Sequence, residues 1–160
     1  MRKLKGLVLS AAVALCAESC GYSASYRTSG PSLSSQGVQV GVAGVLCHVK
    51  REQDPFPDVI DQEQVDLAVR LQVRNGASQV ADLSEGHIRL TEADAARGTA
   101  APEQSGVFSV DPGETRQVAL HFETSSITNC HQPFELELAD SVDVAGSPVA
   151  LNPIAFAATP

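Results

Sequence analysis

Two cysteine–histidine pairs stand far apart in this chain, Cys47-His48 and Cys130-His131. Two thiolates and two imidazoles are a donor set that could close a tetrahedral zinc or copper site. A second donor set, Asp54, Asp58, Asp61 and Glu63, gathers on one polar stretch, with Glu52 and Asp66 beside it. Carboxylates collected on a loop could hold calcium, which takes about six to eight oxygen ligands.

Each set meets a physical objection. Neighbouring residues on a strand point to opposite faces, so a cysteine and the histidine next to it rarely reach one ion. The acidic stretch lacks EF-hand spacing, and Pro55 and Pro57 limit how it can wrap a cation, which leaves a solvated acidic loop as the simpler reading. His87 and His121 read as exposed histidines, the latter on the polar side of a strand between Leu120 and Phe122. The chain has no G-x-S-x-G elbow, no H-E-x-x-H pair and no glycine-rich phosphate loop. It therefore reads as a non-catalytic protein without a cofactor, a periplasmic metal-binding protein using one of the two donor sets being the alternative.

The N-terminus reads as an address. Met1–Gly6 carries three positive charges, and Leu7–Ala17 is an apolar run of small residues and leucines. These are the n-region and h-region of a secretory signal peptide, and the run falls short of the roughly 20 residues that span a bilayer. Ala17-Glu18-Ser19-Cys20-Gly21 resembles a bacterial lipobox, in which a small residue precedes the cysteine that becomes the lipidated first residue. Ser19 and Cys20 fit that pattern; Ala17 stands where leucine is usual, and Glu18 is an uncommon neighbour. Ordinary secretion, with a cut after Ala17-x-Ser19, is the competing reading.

Cysteine arithmetic favours the lipid. Cys16 leaves with the signal peptide, and acylation of Cys20 leaves Cys47 and Cys130 as an even pair. In an oxidising envelope compartment that pair is expected to form a disulfide. Closing a loop of roughly 80 residues would contribute about 4–5 kcal/mol on the chain-entropy account. The expected location is thus the bacterial cell envelope, as an outer-membrane lipoprotein facing the periplasm or the surface.

The elements that would position any site are strands. In Gln64–Arg74, Val65, Leu67, Val69, Leu71 and Val73 fall on one parity, with Asp66, Ala68, Arg70, Gln72 and Arg74 on the other. Strict alternation over this length is a half-buried β-strand. Asn75-Gly76, a dipeptide that accepts positive φ, is expected to end it in a turn. Val38–Val49 switches parity at Gly44, which predicts a bulge or kink there. Shorter candidates follow at Gln79–Leu83, His87–Thr91, Val107–Val110, Val118–Phe122, Phe134–Leu138 and Val149–Phe156. Glu92–Glu103 is a short helix or a long loop, closed by Pro102. Seven or eight short strands with frequent turns predict an all-β sandwich over residues 38–160. Ahead of it lie a signal peptide over 1–19 and, over 20–37, a lipidated cysteine and a flexible Ser/Gly-rich tether.

Two motifs carry a family resemblance: Asn75-Gly76 after the central strand, and Ser109-Val110-Asp111-Pro112-Gly113-Glu114 leading into Val118. With these, Val38–Pro160 resembles the small immunoglobulin-like domains of bacterial envelope lipoproteins. The resemblance implies a fold and a location and carries no catalytic residues.

Charge narrows the partners. The full chain has a formal net charge of −8. Without Arg2, Lys3, Lys5 and Glu18 the remainder carries eight basic and 18 acidic residues, a net −10. Such a surface repels a phosphate backbone, so nucleic acid is not an expected partner. The membrane, through the N-terminal lipid, and an envelope protein or polymer are. The two long loops, Arg51–Glu63 and Glu92–Glu103, are where binding residues are expected to collect.

Overall fold

A computed structural model describes residues 25–51, 63–92, 100–124 and 130–159. The signal-peptide segment, Cys20, the acidic residues Asp54, Asp58 and Asp61, and the interiors of the two long loops lie outside the described residues. Among the described residues the fold is all-β and antiparallel, with one 3-10 turn at Glu85–His87.

Three long strands form the backbone of the molecule: β3 (Val38–Arg51), β4 (Glu63–Asn75) and β8 (Thr115–Thr124). With the short β2 (Ser32–Leu33) they make a sheet in the order β2-β3-β4-β8. A second sheet runs β1-β12-β9-β6, from Tyr26–Thr28, Ile154–Ala158, Phe134–Glu137 and Arg89–Glu92. A third runs β11-β10-β5-β7, from Ser147–Pro148, Val142–Val144, Ala81–Ser84 and Val107–Val110. All three contribute to one apolar core, as in a β-sandwich.

The alternation in β4 works as its period requires. Val65, Leu67, Val69, Leu71 and Val73 are buried, while Arg70, Gln72 and Arg74 are exposed. Each buried aliphatic side chain contributes roughly 1.5–3 kcal/mol. The parity switch in β3 is a register shift against β4 between Val42 and Gly44, which keeps Val40 and Cys47 buried on either side of it.

The described part of the expected tether is built into the fold. Tyr26 to Thr28 pair with Ala158 to Phe156, and Ser32 and Leu33 pair with Val40 and Gln39. One aromatic side chain accounts for this: the Tyr26 ring packs edge-on to Phe156 at 5.7 Å and tilted to Phe134 at 6.3 Å between centroids, and its hydroxyl donates to the Cys130 carbonyl at 2.6 Å. Ser/Gly composition alone does not reveal such an anchor. Twelve strand segments are described rather than seven or eight; β1, β2, β10 and β11 have two or three residues each, too few to show a period.

The two motifs that carry the family resemblance meet at one corner. Asn75 is fully buried, and its Nδ2 donates to the carbonyls of Gln79 (2.8 Å) and Val110 (2.9 Å). Its Oδ1 accepts from Ala77 N–H at 2.9 Å. Its main chain donates to the Glu114 carbonyl and accepts from Gly113 N–H. Pro112 and Gly113 occupy the centre of that turn, Gly113 at φ +79° as a type II turn requires. The expectation for Gly76 is corrected: its φ is not positive. A Cβ there would lie 2.7 Å from the Gly37 carbonyl oxygen, so glycine is needed for close approach.

Candidate functional site: the outer face of the long sheet

Register decides which side chains share the outward face of β3-β4-β8. Successive rows across the three strands are Gln39–Arg74–Thr115, Gly41–Gln72–Gln117, Gly44–Arg70–Ala119 and Leu46–Ala68–His121, followed by His48–Asp66 across β3 and β4. The register shift at Ala43 divides them into two neighbourhoods of different chemistry.

On one side lies a polar crevice of about 380 Å³. Gln39, Gln72, Arg74 and Thr115 form its floor, and Thr28 and Pro31, from β1 and the turn after it, form a wall. Two amides, two hydroxyls and one guanidinium can fix a carboxylate-bearing group by directed hydrogen bonds. The volume falls within the range of ligand clefts. That wall exists because Tyr26 holds β1 in the fold.

On the other side the face is apolar and shallow, again about 380 Å³, over Gly44, Ala68 and Ala119. Leu46 rises from it 60% exposed beside Ala68, with Arg70 and His121 on the same lining. A leucine so exposed, on short neighbours, is a recognisable contact feature.

The residues singled out in the sequence fall elsewhere or apart. Cys47 and Cys130 are bonded to each other across 83 residues with Cα atoms 5.8 Å apart, and both are buried. This corrects the Cys47, His48, Cys130, His131 metal set, because bonded sulfurs offer no thiolate. Of the acidic set only Glu63 is described, as the first residue of β4 opposite Arg51. Among the described residues no group of three or more His, Cys, Asp and Glu side chains could hold a metal. His87 Nδ1 is 2.7 Å from the Asp140 carbonyl. His121 lies on the outward face, half-buried, with its N–H donating to Gln104 Oε1 and its carbonyl accepting from Glu103 N–H. The end of the Glu92–Glu103 segment is therefore extended: Ala100 exchanges both main-chain hydrogen bonds with Leu90, and Pro102 is buried.

No protein-family model matches the chain, and no curated protein is similar to it in sequence. Solved structures share its fold. A candidate lipoprotein, ycdA, of Bacillus subtilis subsp. subtilis str. 168 superposes with a TM-score of 0.52 at 16% identity, over 78% of this chain and 38% of that one. The chain thus spans well under half the length of that neighbour. A structural-genomics target, SoR45, aligns at a TM-score of 0.45 and 14% identity, over 85% of this chain and 88% of that one. At this identity the first likeness establishes the all-β fold. Among the described residues no helix is long and apolar enough to cross a membrane.

Proposed function

We propose that this protein is a non-catalytic, lipid-anchored module of the bacterial cell envelope, immunoglobulin-like in fold, that holds an envelope protein or polymer through its outer sheet face. The observation that carries the reading is the crevice around Arg74, where amide and hydroxyl side chains surround a single guanidinium. Such a lining suits orientation of a carboxylate-bearing partner and offers no nucleophile–base pair for chemistry on it. The fold shared with a candidate lipoprotein, and the Ser19-Cys20-Gly21 sequence after a basic and apolar leader, support an outer-membrane anchor at Cys20.

Two measurements test this. Intact mass of the membrane-extracted protein is expected to show a chain beginning at an acylated Cys20; a soluble chain with an unmodified N-terminus would remove the anchor. A photo-crosslinking amino acid in place of Gln72 is expected to capture an envelope component in living cells, and Arg74→Glu to abolish that capture. Unchanged capture in Arg74→Glu, or turnover of a substrate by the purified protein, would overturn the reading.

A further inference from the structure

The sheet edges of this molecule are unequal. Among the described residues, the edge strands β1, β2, β6, β7 and β11 have two to four residues each, while β8 has ten. The far end of β8 is covered: His121 N–H donates to Gln104 Oε1, and its carbonyl accepts from Glu103 N–H. Alternate residues of a paired strand aim their main-chain groups to the same side, so Thr115, Gln117 and Ala119 aim theirs away from β4 with those of His121. No described residue takes these bonds, and all three residues are exposed. Three N–H and three C=O groups therefore form an open ladder. Folded proteins blunt or cover such an edge, because it invites another strand.

Two arginines stand one strand in from this edge. Register sets Arg74 beside Thr115 and Arg70 beside Ala119 on the outer face, two rows or about 13–14 Å apart. Both are exposed, and no hydrogen bond or ion pair joins either guanidinium to a described residue. Only a threonine and an alanine separate them from the edge. On the inward side of β8, Val118 and the nearby Phe108 of β7 are half-buried. The Arg116 guanidinium lies over the Phe108 ring and donates to the Ser109 carbonyl at 2.9 Å.

We infer that the β8 edge from Thr115 to Ala119 accepts an added strand, an extended peptide segment with acidic side chains four residues apart; this rests on the outer face being a partner surface and gives that partner its form. In strand addition, main-chain hydrogen bonds supply affinity and alternate side chains supply register. Added side chains opposite Thr115 and Ala119 share the outer face with Arg74 and Arg70, at two strand spacings or roughly 9.5 Å. Two long, oppositely charged side chains close that gap over a short neighbour. The added side chain opposite Val118 faces inward and meets an apolar surface. A second copy of this chain is the poorer occupant. Pairing β8 with itself about Gln117 sets Thr115 against Ala119, so Arg74 of one copy and Arg70 of the other would share each row. Like charges would then meet twice, where an acidic strand brings opposite ones. The net charge of −8 opposes an acidic partner at long range, but with a Debye length of about 8 Å the arginines beside the edge decide the contact.

The test uses the isotopically labelled full chain, extracted from its membrane in detergent. The probe is the acetylated and amidated peptide Thr-Glu-Val-Thr-Val-Glu-Thr, whose glutamates face outward when its valines face in. Nuclear magnetic resonance is expected to show amide shifts at Thr115, Gln117 and Ala119, and slower hydrogen exchange there. The same peptide with lysine for both glutamates is expected to bind at least about tenfold more weakly. N-methylation of its central threonine, which removes a main-chain donor facing β8, is expected to abolish binding. Arg70→Glu with Arg74→Glu is expected to reverse the preference toward the lysine peptide. Shifts confined to other strands, equal binding of the two charge forms, or undiminished binding of the methylated peptide would each overturn the inference. Protection at these amides that follows protein concentration and ignores the peptide would assign the edge to a second copy and overturn it too. Capture at position 72 in cells, lost in Arg74→Glu, with no peptide bound at β8 would leave the outer face as a partner surface and overturn strand addition alone.

Discussion

Leu46 and Cys47 are neighbours in the chain and opposites in the fold. Cys47 is buried on the inner face of β3 and covalently tied to Cys130; Leu46, one residue earlier, is 60% exposed on the outer face. The same contrast runs along β4, where the buried valines and leucines alternate with Ala68, Arg70 and Gln72, and it ends at Asn75, whose side chain turns inward and makes three hydrogen bonds at the corner. The difference teaches where this molecule keeps its stability and where it keeps its recognition. Inner-face residues are over-determined by partners. On the outer face Leu46, Arg70, Gln72 and Arg74 are exposed, and an exposed side chain can be chosen for what lies outside the chain.

The comparison predicts that the largest effect comes from the Cys47–Cys130 bond. Removing it releases a loop of 83 residues in the unfolded chain, a loss of about 4–5 kcal/mol on the chain-entropy account. That is a large part of a typical stability of roughly 5–15 kcal/mol. Cys47→Ala with Cys130→Ala is expected to lower the denaturation midpoint strongly, as read by urea titration followed by circular dichroism. A shift equivalent to less than about 1 kcal/mol would mean the inner face stands without its staple, and the contrast would have to rest on packing alone.

A smaller but more local effect is expected at the corner. Asn75→Ala leaves the carbonyls of Gln79 and Val110 and the Ala77 N–H without their side-chain partner. The bond to Val110 is buried and those to Gln79 and Ala77 are part-buried; with roughly 1–3 kcal/mol for an orphaned buried group and less for the other two, the total is about 2–3. Asn75→Asp keeps the acceptor for Ala77 but loses both donors, so it is expected to be destabilised nearly as much. If Asn75→Asp were as stable as the parent, the two carbonyls would be finding other donors, and the corner would be less constrained than its hydrogen bonds imply. Melting temperature and urea midpoint measure both variants.

The inner face was open to reading from the chain alone, and the outer face was not. Period-two alternation named the buried side of β4, and the parity switch at Gly44 marked the register shift in β3. These are local patterns, imposed by the pleat itself. Asn75-Gly76 and Asp111-Pro112-Gly113-Glu114 were visible as turn chemistry, but their meeting at one corner was not, because 35 residues separate Asn75 from Val110. Tyr26 was lost in a stretch of serine and glycine, since its value lies in Phe134 and Phe156, far along the chain. The outer-face site is the extreme case. Leu46, Ala68 and Ala119 are unremarkable singly, and register across three strands is what assembles them. The cysteine–histidine pairs, conspicuous in the sequence, become a buried disulfide.

The smallest expected effect is the one that tests the contrast most directly. Leu46→Gln replaces a largely exposed aliphatic side chain by a polar one of similar length, on a face where its neighbours are Ala68 and Gly44. Little apolar area is returned to water that was not already there, so the transfer contribution is small. No buried group loses a partner, so none of the mechanisms behind large destabilisations applies. The change in unfolding free energy is expected to stay within about 0.5 kcal/mol. Urea titration followed by circular dichroism measures it. A loss above about 1 kcal/mol would make Leu46 a support of the fold, and the two faces of this sheet would then differ in exposure without differing in role.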